Sequence, residues 1–413
     1  MKKIIFLFFA FFLTIGGVTY AQNYELDITD PNYQKILINV YNLESSNPEL
    51  AQKVKSVIVK DLNMSGFYQV NDINIVLKNP YSVSGCNYAV FGSVSESNGN
   101  VVLDAKVYNV TNREIVINTK ITSNNFAWVS HKLVDNFMLY DTGIYGPFES
   151  KIIFSAGNNK IKNLYIADFS GENIQQITYY NSNLLLPMWI TNNEVGFTGY
   201  LNKNPSVYLL NLSNGHITHL SPNSNFSENV AYYKDGLYAV SINKDSNINI
   251  FLVNKSGQIV KQLTNNHGIT ISPNFTPNLS KMIYVSNSEG SPQIYSLDLS
   301  LGVSSRLTYD CPNSQSPAIS PDATKIAYIC AGSNFALNIM GINGGDSENI
   351  ISSYYLDSPS WSYDSRYVAV YGSIDSKEGI YIINTINGNF SLAIEASKLY
   401  SDFGGLDVSK KIN

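Results

Sequence analysis

A block of about 43 residues recurs six times in this chain, and few folds accommodate such a period. With Tyr295 in QIYSLDLSLG as the anchor, the equivalent positions are Tyr165, Tyr208, Phe251, Asn338 and Tyr381, at steps of 43 or 44 residues. Three residues after each anchor stands Asp168, Asn211, Asn254, Asp298, Gly341 or Asn384. A glycine follows at Gly171, Gly215, Gly257, Gly302, Gly344 or Gly388. Each block therefore holds a strand, a turn that accepts positive φ, and a further strand. A second apolar run precedes each anchor, from KIIFSA at Lys151 to YVAVYG at Tyr367. After the glycine, a third run ends in a hydrophobic–polar pair: Ile177-Thr178, Leu220-Ser221, Leu263-Thr264, Leu307-Thr308, Ile351-Ser352 and Ile394-Glu395. A fourth element starts at Pro187, Pro273, Pro317 and Pro359, with a degraded copy near Val230. Four short strands repeated six times at this spacing predict a six-bladed β-propeller. The aromatic stripe is read as packing between blades.

The first blade opens at Lys151 on its second strand and has no innermost strand of its own. The C-terminal stretch, about Phe403 to Ser409, is expected to supply it, which removes an exposed sheet edge.

Ahead of the repeats, the chain reads differently. Residues 1–21 carry Lys2 and Lys3, an apolar run from Ile4 to Ile15, and a Thr19-Tyr20-Ala21 boundary. These are the parts of a secretory signal peptide, so the mature chain is expected to start at Gln22, outside the cytoplasm. Residues 22–145 predict a small α/β domain. A strand at KILINVYNL is followed by an amphipathic helix from Glu49 to Met64, with Leu50, Val54, Val57, Ile58 and Leu62 at helical spacing. A hairpin around Asn98-Gly99, a further strand at REIVINTKIT and a second helix near Ala127–Tyr140 complete it. Gly143 and Gly146-Pro147 mark the joint with the propeller, residues 146–413.

The net charge of −5 argues against general nucleic-acid binding, which needs a basic surface. No G-x-S-x-G elbow, phosphate-binding glycine loop or paired-cysteine motif occurs. His216 and His219 fall on opposite faces of a strand and do not suit a shared metal. The reading is a non-enzyme without cofactor or metal. Cys311 and Cys330 fall at the same end of one blade, so an exported protein could join them. Two unpaired thiols remain an equal alternative, and Cys86 has no partner in either case.

The stretch from Ser130 to Gly157 resembles the inter-domain segment of the TolB family, with His131, Asp135, Thr142, Gly143, Gly146 and Phe148 in that family's places. VIVKDLNMSGFYQV, Val57 to Val70, is similar to the helix end that the family writes DL-x-x-SG-x-F. The order of signal peptide, small α/β domain and six-bladed propeller agrees over essentially the whole mature chain, although the C-terminus departs from the family's usual strand. The resemblance implies a periplasmic scaffold of the Tol-Pal system. It would bind the peptidoglycan-associated lipoprotein Pal through the propeller and TolA through its N-terminal region. It would support outer-membrane integrity and constriction at division, and act as a monomer. The alternative is a propeller that holds a small molecule or sugar in its channel.

Propeller partners usually meet the loops at one mouth of the channel. Here these loops are 179–186, 222–229, 265–272, 309–316 and 353–358, and the resemblance places the Pal-binding determinants in them. The expected contacts are Asn183, Glu228, His267, Thr270, Asp310, Gln315 and Asp357, with Tyr179 and Tyr354 as aromatic anchors.

Overall fold

In a computed structural model, residues 35–158, 160–221, 224–397 and 401–409 are described. The signal-peptide reading and the Gln22 start lie outside them. The N-terminal region forms one five-stranded sheet, order β2-β1-β3-β4-β5, with two helices. Its elements are β1 (Ile36–Asn42), α1 (Pro48–Ser65), β2 (Tyr68–Val76), β3 (Tyr88–Ser97), β4 (Asn100–Asn109), β5 (Glu114–Ser123) and α2 (Phe126–Thr142). Helix α1 starts where it does because the Asn47 side chain accepts the Leu50 amide and Pro48 occupies the first turn. It stops at Gly66, at φ 78°. The apolar face foreseen at Leu50, Val54, Val57, Ile58 and Leu62 is buried. The α/β domain is thus built as its sequence pattern predicts.

Six four-stranded sheets follow, each an up-and-down blade. The second to sixth blades run in chain order from innermost to outermost strand, with innermost strands Leu184–Thr191, Ser227–Tyr232, Thr270–Phe275, Asn313–Ile319 and Tyr355–Trp361. The first blade takes its innermost strand from the other end of the chain. Asp402–Val408 pairs antiparallel with Lys151–Asn158, with Phe403 opposite Ala156 and Val408 opposite Ile152. The chain end that departs from the usual family pattern therefore closes the ring, sealed by buried Phe403, Leu406 and Val408.

Packing between blades follows a rule. The third-strand aromatic of each block shares a hydrophobic cluster with the fourth-strand aliphatic of the preceding blade. Tyr208 joins Ile177, Phe251 joins Leu220, Tyr295 joins Leu263, and Tyr381 joins Ile351. Burying each such side chain stabilises by about 1.5–3 kcal/mol. The fifth blade is the exception, because its anchor is Asn338.

The two domains meet over the first and sixth blades, on the face formed by the turns between first and second strands. Tyr367 donates from its hydroxyl to Ser65 O at 2.7 Å, Asn384 donates to the same carbonyl, and Tyr363 bonds Gly146 O. Beneath them His131, 1% exposed, holds Asp61 of α1 at 2.6 Å and approaches Asp168 of the first blade at 3.6 Å. Burial by itself would lower the imidazole pKa. The carboxylates of Asp61 and Asp168 outweigh it and push it up to about 10. His131 thus lies buried between carboxylates of two different domains, hydrogen-bonded to Asp61 and within ion-pair range of Asp168. Asp135 accepts the Phe148 and Glu149 amides and fixes the linker. These links leave the opposite face of the propeller free of the N-terminal domain.

Candidate partner-docking face

Around the central channel, each innermost strand breaks register at the same place. The residues there are Leu186, Asn229, Ser272, Ser316 and Ser358, at φ 51–57°, and Gly405 at φ 110°. Five of the six are not glycine, in a backbone region that L side chains seldom adopt. A proline follows four of them: Pro187, Pro273, Pro317 and Pro359. The recurrent X-Pro pair is the sequence signal for this ring. Gly405 suits its place, since its φ of 110° strains any side chain and an added Cβ would crowd Leu186 Cα at 3.0 Å.

Polar bonds stitch these bulges from blade to blade. Ser272 N donates to Asn229 Oδ1 at 3.3 Å, and Ser316 Oγ donates to Asp357 Oδ1 at 2.7 Å. Ser360 Oγ and Trp189 N donate to the two oxygens of Asp407, at 2.6 and 2.8 Å. Trp361 Nε1 donates to Ala318 O at 3.0 Å. The ring encloses a channel of about 520 Å³ whose lining includes Trp189, Phe275, Trp361 and Asp407. These bonds over-determine the left-handed residues and hold them in place against their backbone strain, at the centre of the loop face.

Three tyrosines stand out on the surrounding loops: Tyr179, 79% exposed, Tyr309, 68%, and Tyr354, 85%. The first and last are the anchors expected from the sequence. Tyr309 is not among the expected contacts, which include its neighbour Asp310, yet it occupies the repeat position of Tyr179. Arg306 lies over its ring at 4.7 Å. Tyr200 in the second blade adds a further half-exposed ring on this face.

The other expected residues separate into groups. His267 and Asp310 are exposed. Asn183, Glu228, Gln315 and Asp357 are partly buried at or just before the innermost strands. Glu228 and Asp357 belong to the third and sixth blades, opposite each other around the ring. Burial raises the Glu228 carboxyl above its ordinary range. Asp357 is committed to Ser316 and to its own bulge, where Ser358 N donates to it at 2.6 Å. Thr270 is fully buried, its hydroxyl shared with Ser286 and Asn266, so it supports the loop and presents no surface. Cys311 and Cys330 are bonded, with Cα atoms 5.7 Å apart, and the bond ties the 309–316 loop to its own blade. Cys86 is free.

Residues 140–401 match the family profile described as the TolB beta propeller domain, and residues 24–122 match the TolB amino-terminal domain. The chain belongs to the TolB family. Among curated relatives of this family, it is 27% identical over 257 residues to the Protein TolB homolog of Chlorobium chlorochromatii, covering 58% of each chain. It is 23% identical over 281 residues to the Tol-Pal system protein TolB of Helicobacter hepaticus, covering 64% of this chain and 66% of that one. The chain thus spans less than two thirds of the length of these TolB relatives. The crystal structure of TolB from Acinetobacter baumannii superposes with a TM-score of 0.79 at 22% identity, over 92% of this chain and 97% of that one. At this identity the likeness establishes the shared fold.

Proposed function

We propose that this protein is a non-catalytic periplasmic scaffold of a Tol-Pal system. Its propeller docks the peptidoglycan-associated lipoprotein on the loop face, and its N-terminal region meets TolA. Through these two contacts it supports outer-membrane integrity and constriction at division, working as a monomer. The observation that carries this reading is the placement of Tyr179, Tyr309 and Tyr354. All three project from the face that the N-terminal domain leaves open. Exposed tyrosines around a polar centre suit a protein partner, since tyrosine buries much area at low entropic cost and is enriched in binding hot spots. His267 and Asp310 supply an exposed polar rim, and the partly buried Asn183, Glu228, Gln315 and Asp357 lie just inside it, at or just before the innermost strands.

The test is a calorimetric titration of the purified mature protein with the lipoprotein from the same organism, beside a panel of cell-wall sugars. One-to-one binding of the lipoprotein with no response to sugars supports the scaffold. Saturable sugar binding in the channel with an indifferent lipoprotein would favour the small-molecule propeller instead.

A further inference from the structure

The rule for packing between blades is broken once, and a cleft lies where it breaks. At five of the six anchors an aromatic ring shares a cluster with the fourth-strand aliphatic residue of the preceding blade, the fifth pair being Tyr165 with Ile394. In the fifth blade the anchor is Asn338. Leu307 of the fourth blade therefore shares its cluster with Tyr328 and Met340 and with no third-strand ring. A cleft of about 380 Å³ runs between these two blades, and its walls include Leu307, Met340, Tyr328 and Asn338. Tyr309 and Asp310 form its rim on the loop face, and the disulfide lies beside it.

Asn338 is not at rest in this place. Its Nδ2 donates weakly to the Tyr328 hydroxyl at 3.4 Å, while its Oδ1 is buried without a hydrogen-bond partner. An orphaned buried acceptor is unfavourable, and a suitable donor would relieve it. In the first, second and fourth blades, where the second strand also carries a ring, the anchor stacks on it, whereas Phe251 and Tyr381 face Val240 and Val370. Phe154 and Tyr165 lie 5.5 Å apart, Phe197 and Tyr208 5.6 Å, and Tyr284 and Tyr295 5.7 Å. The architecture therefore already provides a ring-sized place beside Tyr328. The cleft is not purely apolar, since Arg306, Asp310, Asn343 and Asp346 also line it.

We propose that the cleft between the fourth and fifth blades binds one aromatic ring carrying an O–H or N–H donor. The ring sits between Leu307 and Met340, in the place of the missing anchor, and gives its hydrogen to Asn338 Oδ1. Phenols and indoles have this chemistry. They could arrive as free molecules or as a tyrosine or tryptophan side chain of a protein partner entering past Tyr309. The site follows from the repeat itself and stands whether or not the lipoprotein docks on the loop face.

The probe is p-cresol, with N-acetyltyrosinamide as the side-chain arm and toluene as the ring without a donor. Methyl NMR of the full mature protein follows the Met340 signal. A saturable shift with p-cresol, at least about fivefold weaker with toluene, is expected. Asn338→Tyr restores the repeat, so it should abolish the shift and raise the melting temperature. Binding by p-cresol alone identifies a site for free rings, whereas equal binding by N-acetyltyrosinamide identifies a side-chain socket; either supports the proposal. No saturable shift up to the solubility limit would overturn it, as would an unchanged shift in Asn338→Tyr. Should that variant fail to fold, equal affinity of p-cresol and toluene for the parent would overturn the role of Asn338.

Discussion

Removing residues 402–413 deletes the strand on which ring closure depends. Three apolar side chains leave the core with it, Phe403, Leu406 and Val408, each 6% exposed in the intact protein. At about 1.5–3 kcal/mol for each buried side chain, the loss is about 5–9 kcal/mol. The two bonds that Asp407 accepts, from Ser360 and Trp189, add about 1 kcal/mol each. A domain of this kind has a total stability of about 5–15 kcal/mol, so the deletion removes most of it. It also leaves Lys151–Asn158 as an open edge, ready to pair with another copy. Differential scanning calorimetry with light scattering is the assay. The truncated protein should melt far below the parent or fail to give a cooperative transition, and it should associate more strongly than the parent at equal concentration. A truncated protein that melts like the parent and associates no more strongly would refute closure by the chain end.

Three further outcomes follow from the sequence and structure. The His131 imidazolium contributes stability fully below its unfolded pKa of about 6.5, and that contribution is lost as pH rises through about 10. Between those values the parent's melting temperature should fall more steeply than that of His131→Gln, and parallel slopes would remove His131 from the inter-domain tie. Thiol counting on denatured, unreduced protein should find one free thiol, Cys86; three would show that Cys311 and Cys330 are unbonded in solution. N-terminal sequencing of exported protein should begin at Gln22, and an intact Met1 would refute the cleavage site.

Much of the architecture was legible because a propeller writes its period into the chain. Each blade must offer the next an apolar face, so Tyr165, Tyr208, Phe251, Tyr295 and Tyr381 recur at nearly constant spacing. Helix α1 was equally plain, since its buried stripe and its Gly66 stop are local features. The site was less legible. Whether a loop residue points outward depends on backbone geometry that its identity does not encode. Thr270 and Tyr309 illustrate this: the first is buried by its partners Ser286 and Asn266, and the second stands exposed beneath Arg306. The left-handed ring escaped notice because four of its residues precede proline, where an extended backbone is the ordinary expectation. The cleft at Asn338 coincides with a break in the repeat, but its walls, Leu307 of the fourth blade and Met340 of the fifth among them, meet only in the folded ring.

The central claim is that the loop face, not the turn face, receives the lipoprotein. Alanine sets in the loops 179–186, 265–272, 309–316 and 353–358 should be titrated against the lipoprotein, each including its exposed residues Tyr179, His267, Tyr309 with Asp310, or Tyr354. Matched sets at the opposite turns around Asn278 and Asp322 serve as the comparison. Loss of Tyr179, Tyr309 or Tyr354 should weaken binding at least tenfold, the mark of an anchor worth about 1.4 kcal/mol or more, with melting temperatures unchanged. Weakening confined to the turn sets, with the loop sets binding as the parent does, would contradict the account.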